Sequence, residues 1–150
     1  MKQGPDEQRL DVSLRASTLV AGGFMGDDPR GVSEVIDADA RELFRLGRTA
    51  KELAARMQEI TDKAAPAQGL WVEIVPGREA QVDETRGSLP CPWRHQGRYF
   101  KRITTVRRKD SDEVVRWSDL GMHMIAMHGF FEGKGSMFRI EPIDLVKMLF

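Results

Sequence analysis

The stretch 98-RYFKRITTVRRKDSDEVVRWSDLGMHMIAMHG-129 contains the change of period that decides the fold. Arg98 to Arg108 is rich in β-branched and aromatic residues, and Lys109-Asp110-Ser111-Asp112 is a turn-forming cluster. The chain is therefore expected to return through Glu113 to Trp117 as a β-hairpin. Ser118 or Asp119 then offers an oxygen to cap a helix that runs to His128, and Gly129 supplies the left-handed residue that ends it. Other strands and helices are grouped along the chain rather than alternating. That pattern reads as α+β, with an N-terminal helical hairpin packed against a mostly antiparallel sheet.

Upstream of this stretch, Val32 to Leu46 has helical apolar spacing through Val35, Ile36, Leu43 and Phe44, and Gly47 closes it. Thr49 and Glu52 form a capping box for a second helix, whose face is Leu53, Met57, Ile60 and Ala64. With so short a connection, the helices of this 32–64 hairpin are antiparallel neighbours, and sequence alone allows either core packing or a homodimer contact. After a break at Pro66 to Gly69, Leu70 to Val75 reads as a strand. Pro76-Gly77 is a type II turn signal, and Glu79 to Thr85 is the returning partner. Residues 1–9 read as a loose terminus and Leu10 to Val20, by alternation, as a first strand. A glycine-rich loop follows from Ala21 to Gly31. Met137 to Ile140 reads as a last short strand, and Pro142 opens a closing helix.

At 150 residues the chain reads as a single domain, 1–150, with a mostly sheet-forming part at 70–150. It contains no apolar run near the length of a membrane span and no apolar leader core, and its one cysteine rules out an internal disulfide. The expectation is a cytoplasmic protein with no membrane contact. Net charge is zero, yet Pro92 to Lys109 holds seven cations (Arg94, Arg98, Lys101, Arg102, Arg107, Arg108, Lys109) and no acid. This strip, interleaved with Trp93, Tyr99 and Phe100, is the candidate contact for an anionic partner or nucleic acid. The competing reading is a solvated strand whose aromatics face the core.

The sharpest chemical signal is that the only cysteine and all three histidines fall in the order Cys91, His95, His123, His128. Four soft or borderline donors match the number a closed, structural zinc site needs. Knuckle, hairpin and helix ending in two histidines together resemble a C2H2-type ββα zinc finger over residues 91–128. The resemblance implies Cys91 and His95 as knuckle ligands, His123 and His128 as helix ligands, and zinc as cofactor. The chain departs from that family in using histidine as the second knuckle ligand and in a longer spacer. It also lacks basic residues at the helix start, so base reading by this helix is not implied. On a regular helix, side chains five apart point about 140° from each other, so the expectation is that the last turn adjusts if both histidines share one ion.

Other chemistry is weaker. A metal-free enzyme would use Cys91 as nucleophile, His123 or His128 as base and Asp119 to orient it. A metal-free interaction protein would use the same residues only for packing. Gly22 to Gly26 lacks dinucleotide-loop spacing and is followed by Asp27-Asp28, where phosphate would sit; Gly129 to Ser136 is not a P-loop, because it follows a helix. Met122, Met124 and Met127 read as core filler. The overall expectation is a zinc-stabilised binding or regulatory module whose basic hairpin meets an anionic partner.

Overall fold

The computed structural model describes residues 4–15, 23–93 and 95–150. Its elements are α1 (Pro5–Arg15), α2 (Val32–Leu46), α3 (Ala50–Ala64), β1 (Val72–Val75), β2 (Arg78–Pro90), β3 (Arg98–Arg108), β4 (Val114–Ser118), α4 (Asp119–His128) and α5 (Pro142–Leu149). The four strands form one antiparallel sheet in the order β1-β2-β3-β4. The protein is α+β, as its sequence pattern predicts.

Register puts Ala80 opposite Val106, Val82 opposite Thr104, Thr104 opposite Trp117 and Val106 opposite Val115. Because side chains alternate along a strand, these residues share one sheet face. They are buried there with Leu53, Met57 and Ile60 of α3 and Leu145 and Met148 of α5. The opposite face carries Glu79, Gln81, Asp83, Thr105, Arg107 and Arg116, and Arg107 lies flat over Trp71 at 3.7 Å. Inside the core, Trp117 Nε1 donates to Thr61 Oγ1 at 3.0 Å, and that hydroxyl shares a 2.7 Å hydrogen bond with Thr104. The polar groups of this buried cluster are thus satisfied within it.

Helix α3 has the predicted cap, with Thr49 Oγ1 accepting from the Glu52 amide at 3.1 Å. Gly47 at φ 69° ends α2 in the left-handed region that glycine enters without steric penalty. Helix α4 leaves β4 without a linker: Ser118 Oγ accepts from the Gly121 amide, and Gly129 at φ 64° stops the helix after His128. The closing α5 begins at Pro142, as read from sequence.

Two expectations fail. Leu10 to Arg15 is helical, not a strand; the remainder of that stretch, Ala16 to Val20, lies outside the described residues. Leu10, Val12 and Leu14 fit a period of two, but only Leu10 and Leu14, one helical turn apart, face inward, and Val12 is 64% exposed. The helix also takes in residues 5–9, read as loose, because Pro5 with Asp6 and Glu7 makes a favourable first turn. The second failure is Met137 to Ile140, which forms no strand and instead runs as a turn near the β4 edge. Arg139 fixes this segment through a bidentate ion pair with Asp39 of α2 at 2.6 and 2.9 Å, both side chains being less than a tenth exposed.

The two glycine-rich loops interlock. Gly133 donates to the Phe24 carbonyl at 2.9 Å and Asp27 to the Lys134 carbonyl at 3.2 Å, while a Cβ at Gly133 would collide with the Met25 backbone. Asp28, read as a phosphate repellent, is buried and clamps both loops, accepting from the Lys134 amide at 3.1 Å and from Arg30 at 2.7 Å. Arg30 beside it holds its carboxyl well below the usual range.

Thr61→Val keeps the shape of the core but leaves Trp117 Nε1 and Thr104 Oγ1 without their partner. The expected loss is about 1–3 kcal/mol, read as a lower urea midpoint at unchanged m-value.

Candidate metal centre

Cys91 follows β2 directly and is 3% exposed, while His95 lies in the loop that turns the chain into β3. His123 and His128 project from α4. One donor atom from each of the four lies within 4.8 Å of every other. His95 Nε2 is 2.7 Å from His123 Nε2 and 3.3 Å from His128 Nε2, and His128 Nε2 is 3.6 Å from Cys91 Sγ. Tetrahedral zinc with ordinary bond lengths separates N from N by about 3.3 Å and N from S by about 3.6 Å. Two of the three measured edges match those spans, and the His95–His123 edge is shorter. The described helix runs to His128 without interruption, so the last-turn adjustment is unnecessary. His95 stands between the helix histidines, and their outer nitrogens reach it from different sides.

Each ring is held from outside. The His95 Nδ1 proton goes to the Gln96 carbonyl at 3.0 Å, because a carbonyl can only accept, and Nε2 is left as a bare lone pair facing the cluster. Trp93 stacks on His128 with centroids 4.0 Å apart and planes 6° from parallel. Tyr99 stacks on His123 at 4.2 Å, with its hydroxyl 3.3 Å from His123 Nε2. Sequence reading assigned Trp93 and Tyr99 to the basic strip; their role as walls of the centre was not visible there. The only hint was proximity, Trp93 lying two residues from Cys91.

Burial pushes the His123 pKa down to about 4, and the neighbouring His95 and His128 rings add to this. Burial and His95 also lower that of His128. The same burial raises the Cys91 thiol. At neutral pH His123 and His128 thus offer neutral imidazoles, which are competent ligands, beside a protonated Cys91 thiol. A thiol held protonated must lose its proton either to attack or to ligate, so its raised pKa does not separate the two roles. Asp119 carries no bond to either helix histidine among the described residues; its Oδ2 accepts from Arg102 at 2.8 Å.

The basic strip is largely neutralised. Arg102 pairs with Asp119, Arg107 with Glu79 at 2.6 Å, Arg108 with Glu113 at 2.9 Å, and Lys109 with Glu73 at 3.4 Å. Arg94 lies outside the described residues. Among the described residues, Lys101 makes no ion pair, and Arg98 bonds only to Ser88, through its hydroxyl and carbonyl. No described helix is long and apolar enough to cross a membrane.

Compared with known proteins, the chain matches no family model, no curated protein and no solved structure.

As pH falls through about 6.5, unfolded histidines take up protons, whereas folded His123 resists until about 4. The unfolded state therefore binds more protons in this window. Metal-free protein should lose stability on acidification from pH 7 to 5, and His123→Phe should flatten that slope. Urea midpoints measured in chelator at each pH decide this, and a wild-type midpoint that does not move speaks against it.

Proposed function

We propose that the protein is a zinc-stabilised binding module, with Cys91, His95, His123 and His128 as the four ligands. The observation that carries this reading is the convergence of one sulfur and three imidazole nitrogens, from a loop and a helix far apart in sequence, within 4.8 Å. A thiolate with imidazoles suits zinc among the common divalent ions, and four protein ligands leave no position for water. The site would be structural. The order of loop, β3, β4 and α4 supports reading residues 91–128 as an enlarged relative of the ββα zinc finger. Without an ion, three imidazoles and a thiol share a partly buried space in which only some of their lone pairs find hydrogens.

Two outcomes test the ligand set. Untagged protein should contain one equivalent of zinc, and chelator should lower its melting temperature. Cys91→Ala and His128→Ala should each lose the metal and the chelator effect, whereas full stability with unchanged zinc would remove the proposal. Binding should also release about one proton per zinc near pH 7.5 from the Cys91 thiol, with none from His123 and His128, which are already neutral. Calorimetry in two buffers of different ionisation enthalpy measures this number.

The module's contact surface, in the same reading, is the far end of the β2–β3 ladder, where Arg98 and Lys101 flank Phe100, which is 69% exposed. Exposed aromatic and cation together favour an anionic partner, including single-stranded nucleic acid. Binding of an oligonucleotide should weaken with salt and with the pair Arg98→Ala and Lys101→Ala, while Arg107→Ala, already balanced by Glu79, should matter less. Salt-insensitive binding would retire this surface.

A further inference from the structure

Beside the candidate metal centre, residues of α3 and α4 with Tyr99 of β3 line an open cleft of about 510 Å³. The volume falls within the range of small-molecule sites. Small side chains create it: Ala54 and Ala55 on α3 and Ala126 on α4 leave room that larger residues would fill. Met122 and Met127 complete the apolar lining, and Met127 is 66% exposed on the lip. The other half of the lining is polar, Lys51, Gln58, Asp119 and the His123 and Tyr99 rings that wall the centre.

Charge and hydrogen-bond accounting indicate what the cleft takes. Of its two charged side chains, Asp119 is balanced by Arg102, whereas Lys51 has no ion-pair partner among the described residues. The cleft therefore presents one uncompensated positive charge. A ligand histidine bound to metal through Nε2 keeps its proton on Nδ1, and such protons are normally passed to a carboxylate, carbonyl or water. His95 meets this need through Gln96. His123 has no acceptor for Nδ1 among the described residues, although its ring lines the cleft.

We propose that the cleft between α3 and α4 binds a small monocarboxylate with an apolar stem, its carboxylate accepting from His123 and attracted by Lys51. The stem lies against the alanines and methionines. The ligand thus supplies the outer partner that His123 lacks, which couples occupancy of the cleft to the metal ligand. This inference rests on the zinc reading for the His123 proton; the lysine and the apolar lining are independent of it.

The test uses full-length protein whose zinc content has first been measured. Sodium octanoate, n-octanol and n-octylammonium chloride are titrated into ¹⁵N-labelled protein. Octanoate is expected to shift the amides of Ala54, Ala55 and Ala126 and the ring nitrogens of His123, with octanol weaker and octylammonium silent. Lys51→Gln should weaken octanoate about fivefold, the value of one exposed charge contact. Ala55→Leu, at an exposed position where the fold is not at risk, should weaken it about tenfold by filling the cleft. Equal binding of octanoate and octanol, binding of octylammonium, or indifference to both variants would overturn the proposal. If metal-free protein binds octanoate at the same amides, the cleft stands and the zinc reading falls. If zinc is bound and octanoate moves nothing, the cleft falls and the zinc reading stands.

Discussion

The hydrogen bond from Trp117 to Thr61 fixes more of this molecule than its own strength would suggest. It locks the last inward-facing residue of β4 to the last turn of α3, in a core where a slipped register would turn every β4 side chain to the wrong face. The next residue, Ser118, is already the helix cap, so no linker absorbs error between the end of the sheet and the start of α4. The direction of α4, and with it the position of both helix histidines, is set by the register of β3 and β4. Gly129 closes the other end, which leaves a ten-residue helix with both termini specified.

Two apolar clusters divide the work. The larger lies under the sheet and joins α3, α4 and α5 to the inward faces of β2, β3 and β4. The smaller gathers Leu14 of α1, Phe24 and Met25 of the first glycine-rich loop, Val32 and Val35 of α2, and Leu120, Met124 and Phe130 around Cys91. Cys91 belongs only to the second, and Trp93 and Tyr99 pack against that cluster as well. A metal at the centre would pull the Cys91–His95 loop onto α4 and so close the side of the smaller cluster. The larger cluster has its own satisfied polar groups and does not depend on that closure.

Much of the scaffold could be read from residues with a single physical meaning. Gly47 and Gly129 end helices, Thr49 and Ser118 begin them, Pro76-Gly77 turns β1 into β2, and Pro142 opens α5. The misreadings came from ambiguous residues. Leu10, Val12 and Leu14 satisfy a period of two, Leu10 and Leu14 alone a period of four, and docking of α1 beside Cys91 favours the helix. Met137 to Ile140 lies near the free edge of β4 without pairing to it, and the Asp39–Arg139 pair, a hundred residues apart in sequence, anchors the segment to α2 instead. The basic strip was visible as a run of cations, but Glu73, Glu79, Glu113 and Asp119, which neutralise most of it, are brought opposite by sheet pairing and by the start of α4. Composition along one strand cannot report the charge of the strand beside it.

The candidate centre shows the same division at finer scale. Four residues of two types, in order, predicted a cluster, and the structure brings all four together. What order could not predict is the support around them: the indole against His128, the phenol against His123, and the Gln96 carbonyl that fixes the His95 tautomer. These contacts make the site costly to leave empty. Burial keeps the His123 and His128 imidazoles neutral and the Cys91 thiol protonated, so an ion would displace the thiol proton and meet two helix lone pairs already free of charge. A solvated tetrad with the same four residues would hold protonated histidines in mild acid and lose its ion there. Partial burial extends the range over which the ligands remain competent, at the expense of stability when the ion is absent. In the zinc reading proposed above, this favours retention of a bound metal over its exchange.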